Sequence, residues 1–184
     1  MATTTFDDVL DAIEKLDAVK LSSQGKRNQR VRGTAFEYAV RYFLMHDPAW
    51  ASTFINVWMW GDEGNPLVHG EYEDFPKNDT GIDLVAKDRS GELWAIQCKY
   101  YADDRKLDFS DVSTFFASSD TRGIKRGHFI IAHTGGGLTQ TLGKEASPRN
   151  VVVLDSEQLN NEFVDWSAFL PESHYHNLKK FEPR

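Results

Sequence analysis

Two apolar segments joined by a short polar turn place the strongest constraint on how this chain folds. Residues Ile82–Ala86 and Glu92–Tyr100 are rich in β-branched, aromatic and other apolar side chains, which predicts two neighbouring strands. The residues between them include the Asp, Ser and Gly that are common in hairpin turns. If residues 89–91 form the loop, with the glycine in the left-handed conformation, Asp88 pairs with Glu92.

This register decides which polar side chains of the hairpin meet. Gln97 and Lys99 are two positions apart on one strand and therefore share a face of the sheet. The odd loop length places Asp83 opposite Gln97 on that face, whereas an even loop would turn Asp83 to the other face. Because a carboxylate and an ammonium are costly to bury unless they pair or hold a metal ion, we predict a polar site made by these three residues.

The side chains of this site, with one backbone carbonyl, suit metal-dependent hydrolysis of a phosphodiester. Such hydrolysis uses a divalent cation, and Mg²⁺ prefers a few carboxylate and carbonyl oxygens. Asp83 would supply the charged ligand, while the Gln97 side-chain carbonyl and the Cys98 backbone carbonyl would supply neutral ones. Lys99 would orient the attacking water or stabilise developing negative charge. We expect Mg²⁺ as the cofactor, with Mn²⁺ able to substitute.

The rest of the chain alternates between helical and strand patterns. Helices are predicted from Phe6 to about Val19 and near Arg30–Met45, followed by a strand over Thr53–Trp60 and an irregular connection. The later elements follow in the order helix Ser110–Ser118, strand His128–Ala132, helix Leu138–Ala146, strand Val151–Leu154 and a closing turn and helix over Asp155–Phe163. The glycines at 135–137 break the chain; a turn is predicted, since the Lys-Ser/Thr of a phosphate-binding loop does not follow. The pattern predicts an α/β fold with a mixed β-sheet flanked by helices.

Composition favours an intracellular protein without disulfides. The only cysteine is Cys98, whose side chain would face the core, away from Gln97 and Lys99, and take no part in thiol chemistry. The sequence has no run of about 18 apolar residues and no basic segment followed by an apolar one at its start, so we expect no membrane span, no secretory signal and a cytoplasmic location.

Charge is unevenly distributed along the chain. A net charge of −7 argues against a protein that coats nucleic acid by bulk attraction. The segment between Ala18 and Phe36 nevertheless holds five basic residues and no acidic one. Four of them are predicted to contact DNA phosphates, with a solvent-exposed basic helix face as the alternative: Lys26, Arg27, Arg30 and Arg32.

The spacing of the candidate site residues resembles a known nuclease family. Gly81-Ile82-Asp83 followed by Gln97-Cys98-Lys99 resembles the Mrr-like branch of the PD-(D/E)xK nuclease superfamily, in which a glutamine often replaces the middle acid. Residues 32–37 resemble the first helix of that family, whose glutamate, here Glu37, commonly joins the metal site. The resemblance implies a restriction-endonuclease-like core and a metal-dependent endonuclease acting on double-stranded DNA.

The amino-acid sequence of several segments resembles even more the N-terminal nuclease of Type ISP restriction–modification enzymes. The similar segments are residues 79–86, 96–101 and 113–116. In such enzymes one polypeptide also carries a helicase-like motor, a methyltransferase and a target-recognition part. The resemblance implies a single nuclease domain over 1–184, with an N-terminal helix and basic lead-in (1–32), a nuclease core (33–165) and a C-terminal segment (166–184) that leads into a further domain. Sequence choice would then come from the other domains.

The glutamine at position 97 leaves the expected metal site one negative charge short. Glu37 is the first candidate to compensate, although Thr34 followed by Glu37 is also the pattern of a helix capping box. Asp79 is the second candidate, although it is also typical of a turn residue ahead of Gly81.

Two other functions remain open at this point. A structure-specific resolvase or repair nuclease would use the same site on branched DNA. A catalytically silent module with a nuclease fold would bind DNA or a partner without cutting.

Overall fold

The computed structural model describes residues 4–18, 25–69, 81–101, 104–121 and 124–169, without the side chains of 16–18, 25–29, 68, 69 and 121. Helices and strands follow in the order α1 (Phe6–Ala18), α2 (Gly25–His46), α3 (Pro48–Thr53), β1 (Phe54–Met59), α4 (Pro66–His69), β2 (Leu84–Asp88), β3 (Leu93–Lys99), α5 (Phe109–Thr121), β4 (Phe129–His133), α6 (Gln140–Ala146), β5 (Val152–Leu154) and α7 (Ser156–Leu159). Short 3-10 turns cover Ser147–Arg149 and Trp166–Ala168.

The five strands form one sheet in the order β1-β2-β3-β4-β5. β1, β2 and β3 are antiparallel neighbours, whereas β3, β4 and β5 run parallel. Each parallel connection passes through a helix, α5 or α6, because parallel neighbours need a crossover to return the chain to the same end of the sheet. The predicted mixed sheet flanked by helices is confirmed.

Helices cover both faces of this sheet, and alternation along the strands sorts the side chains between them. The first face packs against α1, α2 and the C-terminal 3-10 turn through buried residues that include Phe6, Ile13, Phe36, Phe43, Leu84, Ile96, Ile130 and Trp166. The second face packs against α5 and α6 through Val85, Ala95, Val112, Phe115, Phe129, Ile131 and Leu142. On β3, Ile96 and Cys98 therefore face α2, and the residues between and after them face α5.

The β2–β3 hairpin has the predicted three-residue loop. Gly91 has a φ of 92°, and the Asp88 backbone N–H donates to the Glu92 carbonyl at 2.9 Å. The Asp88 carboxylate, only 8% exposed, also organises the turn. It accepts hydrogen bonds from the Ser90 hydroxyl, the Ser90 and Glu92 backbone N–H groups and the Trp94 indole. Burial raises the pKa of Asp88, but these hydrogen bonds outweigh it and lower the pKa to about 2.

Because of Asp88, the free energy of unfolding should decrease at low pH. Its folded-state pKa lies below the ordinary value of 3.8, so its contribution is present above about pH 4 and is lost as the pH falls toward 2. We expect Asp88→Asn to lower the free energy of unfolding by about 2 kcal/mol near neutral pH and to flatten the acid dependence of stability. Urea unfolding of both proteins between about pH 7 and pH 3 measures this. Equal loss of stability on acidification in parent and variant would contradict it, and exposed Asp104→Asn is the control.

The helices near the N-terminus differ from the prediction in two places. α2 begins at Gly25, before the predicted start at Arg30, so the predicted boundary between residues 32 and 33 falls inside a helix. After α2 the chain starts another helix at Pro48, which the sequence pattern did not predict. The Asp47 carboxylate caps it by accepting from two backbone N–H groups, and proline is well tolerated at a first helical position. In the described part of the chain, no helix has the length and apolar character needed to span a membrane.

The glycine run at 135–137 forms the predicted turn and packs against the segment after β3. The Gly136 N–H donates to the Arg105 carbonyl at 3.0 Å, and the Leu107 N–H donates to the Gly137 carbonyl at 2.8 Å. The Gly136 N–H is therefore directed at protein backbone, which argues against a phosphate cradle here.

Candidate active site

Asp83 and Gln97 lie opposite each other where β2 and β3 meet. Leu84 pairs with Ile96, and the Asp83 N–H donates to the Ile96 carbonyl at 2.9 Å. One carboxylate oxygen of Asp83, Oδ2, accepts from Gln97 Nε2 at 2.6 Å and from the Cys98 backbone N–H at 2.7 Å. The structure therefore brings together the carboxylate and the amide that the hairpin register places on one face.

A glycine holds the backbone ahead of Asp83 against α5. Gly81 has a φ of 70°, and a Cβ atom there would lie 2.8 Å from the Phe115 backbone nitrogen. Glycine meets both conditions, since it has no Cβ and adopts positive φ without strain. Ile82 is buried among the residues that pack on α5. The sequence Gly81-Ile82-Asp83 thus docks on this helix and presents the carboxylate to β3.

The residues after Gln97 alternate between the site and the core. Lys99 shares the face of Gln97 and is half-buried, whereas Cys98 is buried among core residues on the α2 side. Burial is the largest cause that raises the pKa of the Cys98 thiol; the charges of Asp83 and Glu37 raise it further, and Lys99 opposes them. The charges of Asp83, Glu37 and Lys99 therefore all act at the same end of β3. The predicted core position of the cysteine is confirmed.

Glu37 reaches this end of the sheet from α2. It is half-buried, and its charge acts on Cys98. The capping-box interpretation of Thr34 and Glu37 is wrong, because α2 begins at Gly25 and both residues lie inside the helix. Glu37 therefore does not serve a helix start, and its side chain remains a candidate for the site.

The atoms at this site that could bind a metal ion are oxygens. Fewer of them belong to carboxylates than in a site built from carboxylates alone. Among the described residues, no group of three or more His, Cys, Asp and Glu side chains is placed to hold a metal ion. Asp83 is one carboxylate of the candidate site, and Glu37 is the candidate for a second. The Cys98 carbonyl lies on the same side of β3 as its N–H, toward Asp83, because the two groups of one residue point the same way in a strand. This set suits Mg²⁺, which takes one or two carboxylates and retains waters.

The Gln97 amide has an orientation that bears on metal binding. Its nitrogen faces the Asp83 carboxylate, since two oxygens could not hydrogen-bond to each other. A cation between the two side chains reverses this requirement, because it attracts the oxygens of both. Turning the amide about its terminal bond exchanges the nitrogen and the oxygen in place, so the buried Gln97 fits either situation.

The predicted DNA contacts are only partly described. Arg30 is exposed and Arg32 is half-buried. Arg30 lies on the same face of α2 as Glu37, about two helical turns away. The Lys26 and Arg27 side chains, and all of Asp79, lie outside the described residues.

Two groups on the same face were not predicted from the sequence. His133, the last residue of β4, pairs with Lys99 and is 1% exposed. The Arg105 guanidinium stacks 3.9 Å above the Tyr101 ring and pairs with Asp111 of α5 at 2.9 Å. A histidine ending the apolar run 129–132 was the available signal for the first group.

Comparisons with known proteins agree with the fold described above. Residues 45–176 match the model of a restriction endonuclease family, of the Mrr catalytic type. Among solved structures, the DNA-bound ATP-dependent Type ISP restriction–modification enzyme LlaBIII matches 92% of this chain and 9% of its own chain, with 24% identity and a TM-score of 0.65. The DNA modification-dependent restriction endonuclease AspBHI matches 98% of this chain and 40% of its own chain, with 13% identity and a TM-score of 0.50. At these identities the two structures share the fold of this chain, which spans less than half the length of either enzyme. No curated protein matches the sequence.

Proposed function

Because the chain belongs to this restriction endonuclease family, we propose that it is a metal-dependent DNA endonuclease domain that hydrolyses phosphodiester bonds of double-stranded DNA. One observation carries the proposal. The Asp83 carboxylate accepts hydrogen bonds from both Gln97 and the Cys98 backbone, with Lys99 next on the same face. A structural hairpin does not need a carboxylate, an amide and an ammonium on one half-buried face, whereas metal-dependent phosphodiester hydrolysis can use the oxygens as metal ligands and the ammonium as a donor to the phosphate.

The carboxylates and carbonyls of the site would hold the cofactor. Mg²⁺, or Mn²⁺ in its place, would be held by Asp83, the Gln97 side-chain oxygen and the Cys98 carbonyl, with Glu37 restoring the negative charge that a glutamine lacks. The cation supplies positive charge that polarises the phosphate and favours attack by water. Asp79 remains a second candidate for the added charge.

Lys99 would act on the phosphate or on the attacking water rather than on the cation. An ammonium group is a donor only, so it is suited to a phosphate oxygen or a water and not to a metal ion. From its position beside Gln97 it would stabilise the negative charge that develops as the bond to phosphorus breaks. Its half-buried state leaves it within reach of the substrate while limiting screening by solvent.

The basic residues of α2 would position the DNA backbone. Arg30 is exposed on the face of Glu37, and Arg32, Lys26 and Arg27 belong to the same helix. Contacts to phosphates fix the register of a protein on DNA but carry no sequence information directly. The net charge of −7 also disfavours tight binding by this chain alone.

We place the chain within a larger restriction–modification enzyme of the Type ISP kind. It spans 9% of LlaBIII, an ATP-dependent enzyme whose solved structure is bound to DNA. On this proposal residues 33–165 are the nuclease core, the segment 166–184 leads toward a helicase-like motor, and a methyltransferase and a target-recognition domain complete a cytoplasmic enzyme. Those domains would select the target and control the cut.

The chain by itself is expected to bind DNA weakly and to nick supercoiled plasmid slowly, without sequence preference and only with Mn²⁺ or Mg²⁺. The nicked fraction on agarose gels measures this, with excess EDTA as the control. Strong cutting at specific sites by the chain alone would contradict the assignment of target choice to other domains. Preferred cutting of four-way junctions by a stable dimer would indicate a resolvase or repair nuclease instead.

A silent nuclease fold is distinguished by metal binding. Calorimetric titration with Mn²⁺ should show binding that Asp83→Ala removes. Absence of both binding and nicking in the parent would indicate a module that binds DNA or a partner without cutting it.

A further inference from the structure

The Lys99 ammonium group has an unexplained neighbour on the next strand. β3 and β4 run parallel with Gln97 beside Ile131 and Lys99 beside His133. Neighbouring residues of parallel strands in register point to the same face, so the imidazole of His133 lies on the face of Lys99 and Gln97. It stands at the carboxyl end of β4, beside Lys99 at the end of β3, rather than in the middle of the sheet.

The imidazole of His133 is buried without the hydrogen bonds that burial normally demands. The residue is 1% exposed, and neither ring nitrogen has a hydrogen-bond partner among the described residues. The Gly135 backbone lies close to the ring, but its approach does not reach hydrogen-bond geometry. Buried polar groups are nearly always paired, and an unpaired one is costly. An isoleucine or phenylalanine, like residues before it on β4, would avoid this cost.

Burial of the ring favours its neutral form. Burial lowers the pKa of His133, while the negative charge of Asp155 and the Gly135 backbone oppose the shift. Asp155 follows β5, the next parallel strand, and its carboxylate caps α7. A neutral imidazole has one N–H and one nitrogen that accepts a hydrogen bond. Lys99, which has donors only, is the complementary partner beside it.

We propose that His133 is a positioning residue for Lys99: its unprotonated ring nitrogen accepts a hydrogen bond from the Lys99 ammonium group and holds that group toward Asp83 when DNA is bound. This inference rests on the proposed function and extends it. His133 touches neither the DNA nor the cation, and it acts only through Lys99. The long, flexible lysine side chain would otherwise sample many rotamers, and its ordering beforehand favours the reaction.

Replacement of His133 separates this role from a structural one. His133→Leu removes both nitrogens and keeps an apolar side chain, so we expect it to raise the melting temperature by about 2–4 °C. The same variant should lower the kcat of Mn²⁺-dependent plasmid nicking about tenfold or more, with KM for DNA unchanged. His133→Asn and His133→Gln place an amide oxygen near one or the other ring nitrogen, and one of them should recover part of kcat.

A second histidine provides the matched control. His128 is half-buried just before β4 begins, where its ring packs against Trp94 with centroids 4.6 Å apart. His128→Leu should leave kcat unchanged, because it lies at the opposite end of β4 from Lys99.

The nicking rate and the stability of His133→Leu distinguish a positioning role from a structural one. If His133→Leu nicks as fast as the parent, the positioning role is wrong, while the proposed nuclease activity stands. If the same variant is less stable than the parent, the ring nitrogens make hydrogen bonds in the folded chain, and the inference is overturned on that ground. If the parent nicks with neither metal, the proposed function fails and this inference fails with it.

Discussion

Asp83→Asn and Lys99→Ala should each reduce metal-dependent plasmid nicking at least about 100-fold. Asn keeps the shape of Asp83 and can still accept the Cys98 N–H, which is now bonded to the carboxylate at 2.7 Å, but it lacks the charge that would hold a divalent cation. Ala at position 99 removes the donor that would stabilise the charge on the phosphate. Nicking rates with Mn²⁺ and Mg²⁺, measured at equal protein concentrations, give the two ratios.

Controls for these variants come from the same strands and the adjoining loop. Lys87→Ala changes a half-buried lysine of β2 at the hairpin end, and Asp104→Asn changes an exposed acid beyond β3. Both should nick as the parent does. Circular dichroism and melting temperatures should show that Asp83→Asn remains folded. Nicking by Asp83→Asn and Lys99→Ala at the rate of the parent would mean that the active site has been placed wrongly.

The part of this site that could be predicted from sequence is the part made by one hairpin. The loop length, the glycine with a φ of 92° and the alternation along two short strands are local features. Together they determine that Asp83 meets Gln97, as the 2.6 Å hydrogen bond between them reflects. No knowledge of distant strands was needed, because the turn sets the register directly.

The neighbours of Lys99 could not be predicted in this way. His133 lies beside Lys99 only because β4 is parallel to β3 and pairs in one particular register. A crossover through α5 separates the two strands, and apolar patterns alone do not determine the register of such a pair. The role of Glu37 depends in the same way on how α2 packs across the sheet, since its residue type alone also suits a helix cap.

The early start of α2 shows a different limit of prediction from sequence. The segment at 25–32 is polar and basic, and without an apolar stripe the sequence pattern indicates a loop or a helix lead-in. In the structure this segment forms the first turns of α2. Glutamine, lysine and arginine are good helix formers, and extending an existing helix costs less free energy than nucleating a new one. The basic residues therefore lie on the same helix as Glu37.

Gly136→Ala should destabilise the fold by at least about 2–3 kcal/mol. A Cβ atom at this position would lie 2.3 Å from the Asp104 carbonyl oxygen. That oxygen belongs to backbone, so it cannot turn away as a side chain could. The segment 104–107 would have to move and weaken the bonds that tie it to the glycine turn, including the 3.0 Å bond from the Gly136 N–H to Arg105. Urea unfolding followed by circular dichroism gives the change in free energy.

Gly143→Ala is the matched substitution, and we expect it to change the free energy of unfolding in the opposite direction. Gly143 lies inside α6, and a Cβ there would meet no atom within 4 Å. Alanine loses less conformational freedom in a helix than glycine, so this variant should gain about 0.5–1 kcal/mol. If both variants changed stability alike, close packing against the segment after β3 would not explain the glycine at 136.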